Sequence, residues 1–197
     1  MAKPTRKPTK TTVNNQLRII GGRWRGRKLN FPSVEGLRPT TDRVRETLFN
    51  WLAPYIIEAR CLDLFSGSGA LGLEALSRGA DYADLVDASK LVCNQLSQHL
   101  QTLQCDHAKV WNDQAQSWLQ QAQPGYDVIF LDPPFGKNLA ESCIQLIDNR
   151  QLLNADGWVY LEMSTQDSLP VIPAHWHLHR EKTAGQVSYR LYSTGQV

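Results

Sequence analysis

Short apolar runs alternate with amphipathic segments along most of the chain after residue 59. The runs predict strands over 60–64, 83–86, 108–111, 126–131 and 158–162. The segments between them predict helices over 70–77, 90–103, 115–122 and 139–147. In the second helix, Val92, Leu96 and Leu100 fall on one face. Strands that alternate with helices of this length indicate βαβ units with right-handed crossovers, and therefore a parallel sheet in an α/β fold.

The two ends of the chain follow other patterns. Extended runs over 175–182 and 187–192 flank a glycine-containing turn and predict a closing antiparallel hairpin. Near the N-terminus, two short extended pieces flank Gly21-Gly22 and predict a second hairpin around that glycine pair.

A helix follows the N-terminal hairpin. Thr40 or Thr41 can cap it, and Pro54 ends it. The chain therefore divides into a disordered basic tail over 1–16, a hairpin and helix over 17–54, and one doubly wound domain over 55–197.

The composition, 42% hydrophobic and 20% charged, is that of a globular protein. No apolar run approaches the roughly 18 residues that a membrane-spanning helix needs, and the N-terminus lacks a signal-peptide pattern. The four cysteines show no C-x-x-C spacing, which argues against a zinc site or a disulfide framework. These features predict a cytoplasmic protein with reduced thiols.

The net charge of +2 conceals a strong asymmetry. Residues 1–45 contain 12 Lys and Arg against two Asp and Glu, a net charge of +10, and the rest of the chain carries −8. A basic arm on an acidic domain predicts a polyanionic partner, either nucleic acid or an anionic membrane.

Four of the predicted strands end at or beside an acid: Asp63, Asp87, Asp113 and Asp132. Each acid taken alone is typical of a helix N-cap. In an open α/β sheet, however, ligands bind outside the carboxyl ends of the strands. Four acids on that edge predict a ligand that carries hydroxyls, amines or positive charge.

The loop after the first strand of the domain has glycines at G-x-G-x-x-G spacing, namely Gly67, Gly69 and Gly72. With Asp87 twenty residues after Gly67, this spacing matches the dinucleotide fingerprint. Asp63 would nevertheless face an incoming pyrophosphate across this loop. The acid suits the ammonium and sulfonium of S-adenosylmethionine better, but the glycine loop alone leaves both cofactors open.

The turn after the fourth strand decides between the two cofactors. It consists of Asp132, Pro133, Pro134 and Phe135. A stray turn of this kind is usually only a rigid connection, because its prolines fix φ and donate no N–H. Beside a cofactor site, Asp132 and the Pro133 carbonyl can each accept one N–H of an exocyclic amine, and Phe135 can stack on the base. This set predicts methyl transfer to an amino group of an extruded base.

Three segments together resemble the bacterial RsmD family: the DLFSGSG loop at 63–69, the DPPF turn at 132–135 and GLRPTTDRVRETLFNWL at 36–52. The family consists of S-adenosylmethionine-dependent methyltransferases that modify the exocyclic N2 amine of a guanine in 16S ribosomal RNA. The similarity extends from Arg18 to Tyr192. It implies a class I, Rossmann-like fold with a mostly parallel seven-stranded sheet and a C-terminal antiparallel hairpin. It also implies a cytoplasmic monomer that acts on 16S ribosomal RNA in a small-subunit particle, without a membrane partner.

The resemblance also implies site residues. The methionine moiety would contact Asp63, Ser66, Gly67 and Gly69, and the ribose would contact Asp87. Arg38 and Thr40 would close over the methionine carboxylate, and residues 132–135 would form the catalytic turn.

Two positions depart from the family pattern. Ser89 stands where a second ribose acid is common. The adenine-contacting acid usually directly precedes an alanine, but here Gln114 separates Asp113 from Ala115. Which member of the pair contacts the adenine stays open.

The basic arm is predicted to contact RNA through Arg18, Arg23, Trp24, Arg25, Arg27 and Lys28. The cations would bind phosphates and Trp24 would stack on a base; the alternative is a solvated hairpin face. Arg43 and Arg45 could reach RNA or pair with acids.

The three histidines over 175–179 are expected to be surface residues, and no metal site is predicted.

Other functions stay open as rivals. A DNA adenine or protein glutamine methyltransferase would use the same turn chemistry. An NAD-linked oxidoreductase has only the glycine spacing in its favour. A non-catalytic RNA-binding assembly factor would need neither the intact turn nor the glycine loop.

Overall fold

The computed structural model describes residues 15–31 and 40–195. These residues form nine strands: β1 (Asn15–Arg18), β2 (Lys28–Phe31), β3 (Arg60–Asp63), β4 (Tyr82–Asp87), β5 (Ala108–Asn112), β6 (Tyr126–Leu131), β7 (Leu153–Ser164), β8 (His177–Ala184) and β9 (Val187–Ser193). They also form five α-helices: α1 (Asp42–Trp51), α2 (Gly72–Ser77), α3 (Lys90–Thr102), α4 (Ala115–Gln121) and α5 (Leu139–Asn149).

Seven of the strands form one sheet in the order β5-β4-β3-β6-β7-β9-β8. The five strands from β3 to β7 run parallel, and β9 lies antiparallel to both β7 and β8. The predicted α/β fold, with its mostly parallel seven-stranded sheet and closing antiparallel hairpin, is confirmed. After the edge strand β5, the chain crosses back to place β6 beside β3. Ligands of open α/β sheets bind at the carboxyl ends of such strands, where the order reverses.

Successive residues of the central strands enter two different hydrophobic clusters. Cys61 and Phe130 pack on the face covered by α1, α2 and α3, whereas Leu62 and Ile129 pack on the face covered by α4 and α5. This alternation follows from the pleat of a strand. It buries both faces of the sheet, which explains why the strands read as continuous apolar runs.

Strand β7 begins at Leu153, five residues before the predicted strand over 158–162. The polar sequence at 154–157 looks like a turn, but the backbone continues through it. Leu153 pairs with Tyr126, and the register then shifts so that Trp158 pairs with Val128. The extra residues form an irregularity within the strand, and such bulges tolerate polar residues and glycine.

Helix α1 has the predicted cap. Thr41 is its N-cap, and the Thr41 hydroxyl accepts a hydrogen bond from the Val44 N–H at 3.4 Å. The helix ends before Pro54, as predicted.

The N-terminal hairpin exists, but the predicted turn was wrong. Strand β1 pairs with β2 from Asn15 opposite Phe31 to Arg18 opposite Lys28, and the connection over 19–27 contains a 3-10 turn. Gly22 has φ +69°, and a Cβ added there would lie 1.7 Å from the carbonyl oxygen of Ser77. The glycine pair therefore serves a close approach to α2 rather than a tight turn.

The strand pairing also corrects the predicted tail over 1–16. Asn15 and Gln16 pair in β1, opposite Phe31 and Asn30, because the ladder continues past the hairpin's buried leucines. Residues 1–14 lie outside the described residues.

The hairpin packs directly on the main domain. Its five buried side chains belong to the same cluster as α1, α2 and α3: Leu17, Ile19, Trp24, Leu29 and Phe31. The Ser77 hydroxyl donates to the Gly21 carbonyl at 2.6 Å and accepts from the Trp24 N–H at 3.0 Å. The described part of the N-terminal region therefore shares one core with the doubly wound domain. Over residues 15–31 and 40–195, no helix has the length and apolarity to span a membrane.

Candidate active site at the carboxyl edge of the sheet

The glycine loop connects the end of β3 to the start of α2. Gly67 and Gly69 adopt φ values of +50° and +81°, which favour glycine. The Gly72 N–H donates to Asp63 Oδ2 at 2.9 Å. The buried Ser66 hydroxyl donates to the Asp63 carbonyl at 2.9 Å. The loop thus wraps around the Asp63 carboxyl at the edge of the sheet.

Asp63 is almost fully buried, with 2% of its surface exposed. The pKa of its carboxyl is raised to about 7. Burial is the largest cause and the Asp87 charge adds to the increase, while the backbone N–H groups of Gly72 and Phe65 oppose it. The carboxyl is therefore divided between protonated and ionised forms near neutral pH. A cation bound beside it would favour the ionised form.

Asp87 ends β4 across the glycine loop from Asp63. Its Oδ2 accepts from the Gly67 N–H at 2.9 Å, and its Oδ1 accepts from the Ser89 N–H at 2.8 Å. Burial raises the Asp87 pKa, and these two hydrogen bonds oppose the increase. Ser89 itself caps α3, because its hydroxyl accepts from the Val92 N–H. The residue in the place of a second acid therefore has a local structural role.

The two candidates for adenine contact, Asp113 and Gln114, directly follow β5. Asp113 Oδ1 accepts from the Gln114 N–H at 2.8 Å, and its Oδ2 accepts from Gln121 Nε2 at 2.9 Å. Both Asp113 oxygens are thus engaged by the segment that forms α4. Gln114 is exposed and Ala115 is buried at the start of this helix.

The Asp132 turn follows β6 at the same edge. Asp132 is half-buried, and the buried Thr40 donates its hydroxyl to Asp132 Oδ2 at 3.2 Å. Burial raises the Asp132 pKa well above its usual range, with further increases from the charges of Glu162 and Asp63 and a decrease from the Thr40 hydrogen bond. Asp132 thus lies close to two other acids, Glu162 and Asp63, whose charges act on its carboxyl.

A cavity of about 480 Å³ adjoins this turn. The turn, the start of α5, the end of β7 and the loop after β7 line it. Its lining includes Pro134, Phe135, Leu139, Glu162, Met163 and Leu169. Pro133 is buried, whereas Pro134 and Phe135 are exposed, and the volume falls within the range of small-molecule pockets.

Glu162 was missed among the candidate residues. It is 5% exposed, and its Oε2 accepts from the Tyr160 hydroxyl at 2.6 Å. Leu161 pairs with Leu131, so Glu162 and Asp132 follow paired residues on adjacent parallel strands. The signal was present in the sequence, because the predicted strand over 158–162 ends at an acid like the four strands before it.

The segment over 38–40 is described only in part. Arg38 lies outside the described residues. Thr40 donates its hydroxyl to Asp132, and its predicted contact with the methionine carboxylate stays a prediction. The structure therefore connects the segment before α1 directly to the Asp132 turn.

The predicted RNA-binding cations are exposed on the hairpin: Arg18, Arg23, Arg25, Arg27 and Lys28. Arg18 and Lys28 lie directly opposite each other, an arrangement that is destabilising for like charges. Trp24 is 7% exposed, with the Arg23 guanidinium 4.1 Å from its ring centroid. The predicted base stacking by Trp24 was wrong, because docking against α2 buries the ring.

The tip of the hairpin lies far from the Asp132 turn. It contacts the C-terminal end of α2, and Arg23 Nη2 is 2.6 Å from Nε2 of His107, which precedes β5. Both contacts lie at the amino edge of the sheet, opposite the glycine loop. A six-residue strand such as β4 is about 20 Å long, so roughly that distance separates the tip cations from the candidate site.

Arg45 and Arg43 differ in environment. Arg45 is 1% exposed, and its Nη2 lies 2.6 Å from Asp42 Oδ1 and donates to the Arg18 carbonyl at 2.9 Å. Its Nη1 lies 3.6 Å from the buried Glu74 carboxylate. Arg45 therefore pairs with acids within the protein, whereas Arg43 is exposed.

Two of the three histidines over 175–179 have separate side-chain contacts. His175 Nε2 lies 3.0 Å from Asp148 Oδ1, and His179 packs edge-on against Trp158. Within residues 15–31 and 40–195, no group of three or more metal-ligating side chains is arranged to bind an ion.

Comparison with known proteins identifies the family. The family model described as "Conserved hypothetical protein 95" matches residues 17–193. Ribosomal RNA small subunit methyltransferase D of Escherichia coli (strain K12) is 54% identical over 179 residues, covering 91% of this chain and 90% of that protein. The chain belongs to the RsmD family. The family assignment agrees with the glycine loop and the Asp132 turn.

Two further members extend the comparison. The protein of the same name from Haemophilus influenzae (strain ATCC 51907 / DSM 11121 / KW20 / Rd) is 51% identical over 185 residues, covering 91% of this chain and 95% of that protein. A solved structure described as a putative methyltransferase from Escherichia coli is 50% identical. It superimposes with a TM-score of 0.86 over 93% of this chain and 100% of that chain. The likeness to the RsmD family thus covers nearly the whole fold.

Proposed function

We propose that the protein is an S-adenosylmethionine-dependent methyltransferase that modifies the exocyclic N2 amine of a guanine in small-subunit ribosomal RNA. The names of the relatives support ribosomal RNA as the substrate. The observation that carries the chemistry is the Asp132 turn, which lies between Thr40 and Glu162 beside a cavity. The guanine specificity rests on the family resemblance together with this turn.

The described residues fit S-adenosylmethionine. The Asp63 carboxyl suits a cationic ligand, because a positive charge would relieve the cost of ionising it in a buried site. Asp87, oriented by two backbone N–H groups, would accept hydrogen bonds from the ribose hydroxyls.

The adenine is assigned to Gln114. Its exposed amide offers both a donor and an acceptor, whereas the Asp113 carboxylate, which already holds the Gln114 N–H and Gln121 Nε2, can only accept. Arg38 stays a prediction for the methionine carboxylate. When bound, S-adenosylmethionine supplies an electrophilic methyl group on a sulfonium centre.

The residues of the Asp132 turn would hold the target amine. An aromatic amine is a weak nucleophile because its lone pair is delocalised into the ring. Asp132 and the Pro133 carbonyl would each accept one N–H, which favours a pyramidal nitrogen with its lone pair available. Thr40 orients the Asp132 carboxyl, and the raised pKa of that carboxyl lets it hold the proton that the amine loses.

The hairpin cations would bind phosphates rather than select the base. Their tip lies at the opposite edge of the sheet from the Asp132 turn, so the substrate must extend over roughly 20 Å of protein surface. This span favours a folded RNA, as in a small-subunit particle. Action in the cytoplasm as a monomer remains part of the proposal.

The test is transfer of labelled methyl groups from S-adenosylmethionine to small-subunit RNA from cells that lack the enzyme. Nuclease digestion of the product should release labelled N2-methylguanosine. Label in N6-methyladenosine or in protein glutamine would identify one of the rival methyltransferases. Binding to small-subunit particles without any transfer would identify a non-catalytic assembly factor.

A further inference from the structure

Glu162 is an acidic side chain in the wall of a cavity that both polar and apolar groups line. It lines the space beside Pro134, Phe135 and Leu139, yet it is 5% exposed. A buried carboxylate is costly unless donors contact it. The Tyr160 hydroxyl contacts one of its oxygens at 2.6 Å.

The orientation of Glu162 is set by a rigid support. Tyr160 is fully buried on the same face of β7 and packs against Phe130 with ring centroids 6.4 Å apart. Leu161, the residue between them, pairs with Leu131 of β6. Glu162 and Asp132 therefore stand side by side at the ends of two adjacent parallel strands.

The two purines differ at the edge that such a carboxylate would meet. Guanine carries N1–H directly beside its N2 amine, so that both positions are donors. Adenine presents an N1 lone pair beside its N6 amine. A carboxylate, which only accepts, would attract the first edge and repel the second.

We propose that Glu162 is the specificity-determining residue for guanine, accepting N1–H while Asp132 and the Pro133 carbonyl hold the neighbouring N2 amine. This inference rests on the function proposed above. A site that hydrogen-bonds one substrate group rejects analogues that lack it, because its own buried polar group is left without that donor. One charge-assisted hydrogen bond corresponds to a preference of about tenfold to a hundredfold in kcat/KM.

The experiment uses RNA in which the methylated guanine, once mapped, is replaced by 2-aminopurine through splinted ligation. This analogue keeps the 2-amine but has a lone pair at N1. The wild-type protein should methylate the guanine RNA at least about tenfold more efficiently than the analogue. In Glu162→Gln, the side-chain amide can donate to N1 of the analogue. The variant should therefore lose activity on guanine and gain activity on 2-aminopurine.

A matched control is Glu141→Gln. Glu141 also lines the cavity but is exposed at the start of α5, so the ratio of the two substrates should stay at the wild-type value. The fluorescence of 2-aminopurine reports binding independently of turnover. Glu162→Gln should bind the analogue RNA more tightly than the wild type does.

Two results would overturn the inference. Equal losses on both RNAs in Glu162→Gln would mean that Glu162 acts only through the structure of the site. Equal use of both RNAs by the wild-type protein would exclude N1 readout even if the variant failed to fold. Failure of the proposed function is a different result, because the wild-type protein would then leave the native guanine RNA unmethylated.

Discussion

Replacing Asp63 with Asn removes a buried ionisable group while keeping its size. The carboxyl is 2% exposed, and its Oδ2 accepts a hydrogen bond from the Gly72 N–H at 2.9 Å. The amide oxygen of Asn can accept the same bond. We therefore expect Asp63→Asn to preserve the loop and to remove the cost of ionising a carboxyl in this site.

The direction and size of the change in stability with pH follow from the raised pKa of Asp63. The folded protein has a pKa of about 7 at Asp63, against 3.8 for the ordinary side chain, so the folded state binds this proton more tightly than the unfolded chain does. The free energy of unfolding therefore falls as pH rises from about 4 through about 7. The full shift corresponds to about 4 kcal/mol, of which about 2 kcal/mol is lost between about pH 5 and pH 7. The Asp63→Asn variant has no carboxyl at this position, so its free energy of unfolding lacks this pH dependence.

Urea unfolding of the ligand-free protein, followed by tryptophan fluorescence at about pH 5 and about pH 7, measures the free energy of unfolding of the variant and of the wild type. The stability of the variant relative to the wild type should increase by about 2 kcal/mol over that range. Asp84→Asn is the contrasting control. Asp84 accepts from the Tyr126 hydroxyl at 2.6 Å and from Trp111 Nε1 at 2.7 Å, so its replacement should destabilise the protein at both pH values. An unchanged pH dependence in Asp63→Asn would refute the reasoning.

Three further predictions test other parts of the molecule. Asp132→Ala should reduce turnover by at least about a hundredfold while changing the Kd for S-adenosylmethionine only a few-fold by calorimetry; loss of cofactor binding would contradict the assigned role. Gly22→Ala should destabilise the protein by about 1–3 kcal/mol more than Gly26→Ala in urea unfolding, because both glycines have positive φ but only Gly22 has α2 against it. Equal losses would mean that the hairpin does not depend on this close approach. Arg25→Glu should weaken RNA binding and reduce the slope of log K against log salt by about one, whereas the exposed Arg180→Glu should change neither. An unchanged slope in the first variant would remove the hairpin from the RNA-binding surface.

The local patterns predicted the elements of the sheet because burial on both faces leaves a continuous apolar run. Strand β6, for example, has the predicted bounds over residues 126–131. The order of the strands has no local signal. The position of Glu162 beside Asp132 depends on the pairing of Leu161 with Leu131, which joins segments thirty residues apart. The sequence therefore indicated the acids at the strand ends but not which of them become neighbours.

The N-terminal hairpin shows that local sequence patterns can also suggest the wrong local structure. Arginines on both sides of Trp24 suggested an exposed ring, and Gly21-Gly22 suggested a turn. Both features are explained by contacts with Ser77, at the end of a helix more than fifty residues later in the chain. Docking of the hairpin against α2 thus buries the Trp24 ring. The glycine pair allows the close approach of the two segments and does not form a tight turn.

Mass-spectrometric mapping of small-subunit ribosomal RNA tests the central claim most directly. The RNA would be compared between cells with the protein, cells without it and cells that carry Asp132→Ala. The proposed function predicts one guanine that gains a single methyl group at N2 only when the wild-type protein is present. An RNA with the same modifications in all three strains, or a methyl group that depends on the protein but lies on adenine, would contradict it.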